Sequence, residues 1–212
     1  MKKEGIKAIV FDIGGVLIKE SGSESRKLCL KKLDLYSNEL SEKFKIFTLN
    51  NLEKSLSGKI NYPVFFKKFI IENNLSKKPS DFANAWLWAR RKTSRINKPL
   101  LKIAKNLKKD YVLVAFTNAT RLNDKIRNEI GIYSYFNLKL ISFKLGVIKP
   151  ELKAYKILAS KLKNKDISRK ESVIIDNNQK NIDIAKKLGL KAICFKDNNQ
   201  LIKDLRKLGV KL

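Results

Sequence analysis

The chain has 212 residues, 43% of them hydrophobic, which is enough for one sizeable core with a modest second lobe and too apolar for a disordered segment. It contains no histidine, which excludes Ser–His and Cys–His nucleophile pairs and His-liganded metal centres and leaves catalysis to Asp, Glu, Lys, Thr or Ser. The formal charge of +27, from 47 Lys and Arg against 20 Asp and Glu, raises the question of nucleic acid, but the lysines are spread through the chain rather than gathered, as on a solvated surface whose positive field favours small anionic substrates.

In chain order, the basic start Met1-Lys2-Lys3-Glu4 runs into apolar residues as a signal peptide would, but Asp12 interrupts that run too early. No stretch approaches the roughly 18 apolar residues needed to span a bilayer, so a cytoplasmic, non-membrane protein is expected. Ile9-Val10-Phe11 is a short apolar β-branched run of the kind buried on both faces in a parallel sheet. It ends in Asp12 and is followed by the turn pair Gly14-Gly15. Helical spacing then takes over from Ser23 to Leu35 and from Asn38 to Leu56, with Ser57-Gly58-Lys59 as a stop. Asn61 reads as an N-cap with Pro63 in the first turn, opening a helix with Val64, Phe65, Phe66, Phe69 and Ile70. Ser80-Asp81 starts another, with Phe82, Trp86 and Leu87 on its apolar side. The whole region Ser21 to Ile96 therefore reads as helical. Its aromatics read as core in preference to a nucleic-acid stacking surface, while Tyr62, Phe65 and Trp86 stay open between core and a substrate pocket.

From Asn97 onward strands and helices alternate. Pro99 opens a helix through Leu107, Tyr111 to Phe116 is a buried strand, and Leu122 to Ile130 is a helix ended by Gly131. A weaker strand, Leu138 to Ser142, precedes a helix from Glu151 to Leu162. The strand Ser172 to Ile175, the helix Ile182 to Leu188 closed by Gly189, and the strand Lys191 to Phe195 follow. Such alternation predicts an α/β protein with a parallel five-stranded sheet flanked by helices. Cys29 and Cys194 have no second Cys or His at metal-ligand spacing and read as buried small hydrophobes in a reducing compartment.

The chemistry collects where strands end. The first strand ends in Asp12, the second in Thr117-Asn118 and the fourth in Asp176-Asn177-Asn178, while Gly146-Val147-Ile148-Lys149-Pro150 lies between the third and fourth. In a parallel sheet these ends share one edge, the usual place for a ligand, with helix N-termini behind them whose free N–H groups suit a phosphate. Singly, each has a structural explanation: turn chemistry at Asp12, N-capping at Thr117 and Asp176, one lysine among many at Lys149.

Together the segments FDIGGVLI (Phe11 to Ile18), VAFTNAT (Val114 to Thr120), GVIKPE (Gly146 to Glu151) and VIIDNNQKNIDIAKKLGL (Val173 to Leu190) resemble the haloacid dehalogenase-like (HAD) hydrolase superfamily over nearly the whole chain. The resemblance implies a Rossmann-like core of residues 1–20 and 97–212 with a helical cap domain, residues 21–96, inserted after the first strand. It implies a Mg2+-dependent phosphatase of a small phosphorylated substrate, with Asp12 as nucleophile, Thr117 and Lys149 holding the phosphoryl group, and Gly15, Asn118 and Asn178 beside the substrate. Asp12, the Gly14 carbonyl, Asp176 and Asn177 would hold the metal. Two positions depart from the family pattern. Gly14 stands where the family's phosphatases usually carry a second aspartate as general acid and base, and Asn177 replaces a second acidic residue, which predicts weaker metal binding. A phosphatase, a dehalogenase-type hydrolase and a non-catalytic phospho-ligand or RNA-binding protein remain open at this point, and Gly14→Asp is expected to raise turnover on alkyl phosphates if proton transfer is what the site lacks.

Overall fold

The computed structural model describes residues 5–212; the expectation at Met1 to Glu4 lies outside them. The chain opens with β1 (Ala8–Phe11), whose residues alternate between two apolar layers, Ala8 and Val10 on one face, Ile9 and Phe11 on the other. The period-2 alternation of a strand makes one short run serve two cores. A second strand, β2 (Ile18–Glu20), leads into α1 (Gly22–Lys32), α2 (Asn38–Asn50), α3 (Leu52–Leu56), α4 (Tyr62–Glu72) and α5 (Pro79–Thr93), and β3 (Ser94–Ile96) closes the excursion by pairing antiparallel with β2. Then come α6 (Lys98–Leu107), β4 (Val112–Thr117), α7 (Arg121–Glu129), β5 (Leu138–Ile141), α8 (Ser142–Leu145), α9 (Leu152–Lys163), β6 (Ser172–Asp176), α10 (Gln179–Lys187), β7 (Lys191–Cys194) and α11 (Asn198–Lys207).

The main sheet has the order β5-β4-β1-β6-β7 with every pair parallel, so β1 is central and all carboxyl ends lie on one edge. One face is covered by Leu100 and Leu107 of α6 with Leu201 and Leu205 of α11, the other by Tyr155, Leu158 and Leu162 of α9 with Ala185 of α10. This is the five-stranded α/β sandwich read from the sequence. A third cluster fills the helical segment, where Phe44, Phe66, Phe69 and Phe82 are buried against one another with ring centroids 4.7 to 6.5 Å apart. Leu122 and Ile126 of α7 join it, so the helical layer rests on that helix.

Four details differ from the sequence reading. The region to Ile96 is not wholly helical, because Ser94–Ile96 pairs with Ile18–Glu20 in a ribbon too short for periodicity to reveal. The helix expected from Asn38 to Leu56 breaks at Asn51, whose buried amide donates to the Phe47 carbonyl at 2.9 Å and takes the backbone out of register. The helix expected from Ile182 begins at Gln179, since the Asn178 side chain accepts from Lys180 N at 3.0 Å and supplies the cap. Helix α11, capped by Asp197, has no counterpart in that reading. Cys29 is buried and Cys194 is only half-buried; both are free thiols, and burial pushes the Cys29 thiol up to about 12.

Candidate active site

Asp12 extends β1 by one residue, its N–H donating to the Ile175 carbonyl at 2.8 Å, so the sheet fixes its backbone while its side chain emerges at the carboxyl edge. Thr117 and Asp176 close β4 and β6, the strands on either side, and both are buried. Lys149 arrives from the loop before α9 and reaches both carboxylates: its Nζ lies 3.2 Å from Asp12 Oδ1 and 2.6 Å from Asp176 Oδ2. Asn118 aims that loop. Its Nδ2 donates to the Lys149 carbonyl at 2.8 Å and its Oδ1 accepts from Lys149 N at 2.9 Å, a reciprocal pair that copies a strand bridge.

The electrostatics are those of two carboxylates sharing one ammonium. Asp176 is fully buried, and its Oδ1 accepts from Asn178 N (2.9 Å) and Asn181 Nδ2 (3.0 Å), its Oδ2 from Lys149 and Asn181. Burial pushes the Asp12 carboxyl above its ordinary value. Lys149 is the largest opposing influence, Asp176 adds to the rise, and Arg127 and the Thr117 hydrogen bond pull down. Two buried negative charges are not balanced by one lysine, and a hard divalent cation bound to oxygen would redress that. Among the described residues no group of three or more His, Cys, Asp and Glu forms an all-protein metal cage. Asp12 and Asp176 offer the kind of oxygen donors that Mg2+ favours, a sparse set that water and substrate would complete.

The remaining residues read from the sequence adjoin these, with contacts of their own. Asn118 and Asn178, expected beside the substrate, have their side chains engaged within the protein, Asn118 on the lysine loop and Asn178 on the first turn of α10. Asn177 is exposed and stands over Gly15, where φ is +82° and an added Cβ would run into the Asn177 amide; glycine is required there by both space and backbone.

Three charged residues that the sequence did not single out lie beside the site. Arg127 of α7 is 1% exposed; its Nη1 donates to Thr117 Oγ1 at 3.1 Å and its Nη2 is 3.3 Å from Glu20 Oε2. Glu20, ending β2, also holds Arg90 of α5 at 2.8 Å. A Cβ on Gly14 would lie 3.2 Å from Arg127 Nη2 and 3.8 Å from Glu20 Oε2. A side chain at position 14 would therefore press on a buried ion pair, whose guanidinium would have to give by a few tenths of an ångström. No local signal pointed to it: α7 buries the charged Asp124 as well, and Arg127 is one of 47 Lys and Arg.

A HAD family enzyme of Bacteroides thetaiotaomicron, solved with magnesium and inorganic phosphate, superposes with a TM-score of 0.75 at 22% identity, covering 93% of this chain and 99% of that one. The chain has the HAD fold. A second HAD structure, a 2-haloacid dehalogenase of Pseudomonas syringae pv. tomato, gives a TM-score of 0.62 at 18% identity, over 90% of this chain and 86% of that one. Among curated proteins the HAD-fold chain is similar to bifunctional epoxide hydrolase 2 of Rattus norvegicus, 24% identical over 217 aligned positions and 96% of this chain. The Sus scrofa counterpart is 23% identical over 98%. The chain spans 39% and 40% of the length of those two relatives. No family model matches it.

Proposed function

We propose that this protein is a Mg2+-dependent phosphatase that hydrolyses a small phosphate monoester through a phosphoryl group carried on Asp12. The observation that carries the reading is the Lys149 ammonium held 3.2 and 2.6 Å from two buried carboxylates at the carboxyl edge of a parallel sheet. One Asp12 oxygen attacks phosphorus and the ester oxygen leaves with the bonding electrons; water then attacks the aspartyl phosphate, releasing phosphate and the free carboxylate. Lys149 places a fixed charge on the transferring oxygens, and Thr117, oriented by Arg127, supplies a donor. Mg2+, held by Asp12, Asp176 and the Gly14 carbonyl, would neutralise the repulsion between the nucleophile and the phosphate dianion. The positive field of the chain speeds the arrival of such a substrate, and helices α1 to α5 act as a cap over the strand ends. No helix among the described residues is long and apolar enough to cross a membrane.

No side chain at position 14 can protonate the leaving group, a function worth on the order of 10² to 10⁴ in rate. The site therefore suits leaving groups that are stable as anions. The test is phosphate release from para-nitrophenyl phosphate by the purified protein. We expect turnover with Mg2+, its loss on chelation, and none in Asp12→Asn. No turnover by wild type, or turnover indifferent to chelation, rejects the reading. A second reading, displacement of halide from carbon, is favoured by Gly14, since that reaction needs the aspartate nucleophile but no acid at position 14; chloride release from chloroacetate in the presence of chelator would select it.

A further inference from the structure

Position 14 has no side chain, yet a carboxylate stands beside it. A Cβ built on Gly14 would lie 3.8 Å from Glu20 Oε2, in ordinary van der Waals contact. Ile9, Phe11 and Ile13 share one core, so the alternation of an extended chain puts positions 12 and 14 together on the opposite side. Glu20 reaches that side from the end of β2. It is also linked to the nucleophile through Arg127, whose Nη2 lies 3.3 Å from Glu20 Oε2 and whose Nη1 donates at 3.1 Å to Thr117 Oγ1, the hydroxyl that hydrogen-bonds Asp12. The three charged side chains differ in access: Arg127 and Arg90 are 1% and 5% exposed, Glu20 12%. Both arginines engage Oε2, and among the described residues Oε1 has no hydrogen-bond partner. Oε1 is not one of the buried orphaned atoms either, so water reaches it. One oxygen of this carboxylate is held fast and the other faces water.

We propose that Glu20 is the general base of the second half-reaction, taking a proton from the water that attacks the aspartyl phosphate on Asp12. The inference rests on the phosphatase reading. The water oxygen bonds to phosphorus while its proton passes to Glu20 Oε1, directly or through one further water. The bond between phosphorus and Asp12 breaks, and its electron pair returns to the Asp12 carboxylate. Phosphate departs, and Glu20 releases the proton to solvent. Arg90 and Arg127 fix Oε2 and thereby the direction of Oε1, the support that a catalytic group needs from its neighbours. A carboxylate held by two guanidiniums has no proton to give, so Glu20 does not assist the first half-reaction, and the preference for leaving groups stable as anions is unchanged. The acid and base duties that one side chain at position 14 would combine are thus divided: the acid is missing, and the base comes from another strand.

A base that serves only the second step separates the two half-reactions, and rapid mixing of the whole protein with Mg2+ and para-nitrophenyl phosphate reads them apart. Nitrophenolate release reports the first step, steady-state turnover the slower one, and the phosphoryl adduct on Asp12 the intermediate. In Glu20→Gln we expect a burst of about one equivalent of nitrophenolate, then a steady state slower by about 10²-fold or more, with the adduct accumulating. A purely structural Glu20 would slow both steps alike and leave no accumulated adduct; that result, or unchanged turnover, overturns the proposal. Because the substitution leaves two buried guanidiniums without their carboxylate, the comparison is repeated in Arg90→Met, which removes one of those charges. Arg90→Met alone should still turn over without accumulated adduct, and adding Glu20→Gln should produce the accumulation. Wild type that releases no phosphate and carries no adduct rejects the phosphatase reading itself. Wild-type turnover with no accumulation in either glutamine variant refutes the role of Glu20 and leaves that reading in place.

Discussion

At Asp12 burial outweighs the nearby lysine, and the folded protein holds the proton more readily than the unfolded chain does. By linkage the ionised carboxylate costs stability at neutral pH, a cost that shrinks as pH falls. Asp12→Asn keeps the shape, leaves Lys149 paired with Asp176, and should raise the melting temperature in chelator. A lower melting temperature would mean that the lysine, not burial, dominates. Position 14 behaves oppositely. From sequence alone an aspartate there restores a missing acid, but in the fold its Cβ would lie 3.2 Å from Arg127 Nη2, so its carboxylate would compete with Glu20 for that guanidinium. We therefore expect Gly14→Asp to lower the melting temperature without raising turnover on alkyl phosphates, and Gly14→Asp with Glu20→Gln to recover much of the loss. Groups this close couple by about 0.5–3 kcal/mol, so strictly additive melts of the single and double variants would contradict the contact.

The elements that deliver the site were legible because their signals are local. A buried strand is a run of β-branched and apolar residues, and the residue that follows it necessarily falls on the carboxyl edge, which placed Asp12, Thr117 and Asp176 before any coordinates. What was not legible depends on distant partners. Glu20 meets Arg127 across 107 positions, and no local pattern separates Arg90 and Arg127 from the other 45 basic residues. The β2–β3 ribbon and the break at Asn51 were hidden for similar reasons, three-residue strands having too little periodicity and a buried asparagine looking like any other helix-surface residue. The start of β6 shows how a local device ties elements together. Glu171 accepts from Ser168 N at 2.9 Å, pairs with Lys7 at 2.5 Å just before β1, and its carboxyl is held down to about 2, first by Lys7 and then by Ser168. A depressed carboxyl stabilises the fold above its ordinary value of 4.5, and that contribution fades as pH falls toward about 2. Glu171→Gln should flatten the acid limb of the melting curve over that window; an unchanged limb would show that the pairing carries no stability.

For the whole molecule the question is how the helical layer is fastened over the sheet edge. Arg91 and Glu129 pair at 2.7 Å between α5 and α7, but exposed pairs of this kind are worth only about 0–1 kcal/mol. The Ser142 hydroxyl donates to the Leu56 carbonyl at 2.6 Å, and the buried Arg90–Glu20–Arg127 group joins helical layer, ribbon and core around one carboxylate. Removing one partner from such a group typically costs about 3–5 kcal/mol, so this, not the surface charge, joins the helical layer to the core. The +27 surface acts at longer range, on the approach of anions. The chemistry proposed for this edge turns on Asp12 taking the phosphoryl group. The most direct measurement is mass analysis of the peptide containing Asp12 after rapid acid quench of wild type turning over para-nitrophenyl phosphate with Mg2+. We expect a phosphoryl adduct on that peptide, absent in chelator and in Asp12→Asn. Phosphate release proceeding with no adduct on Asp12, or with the adduct on another residue, would contradict it.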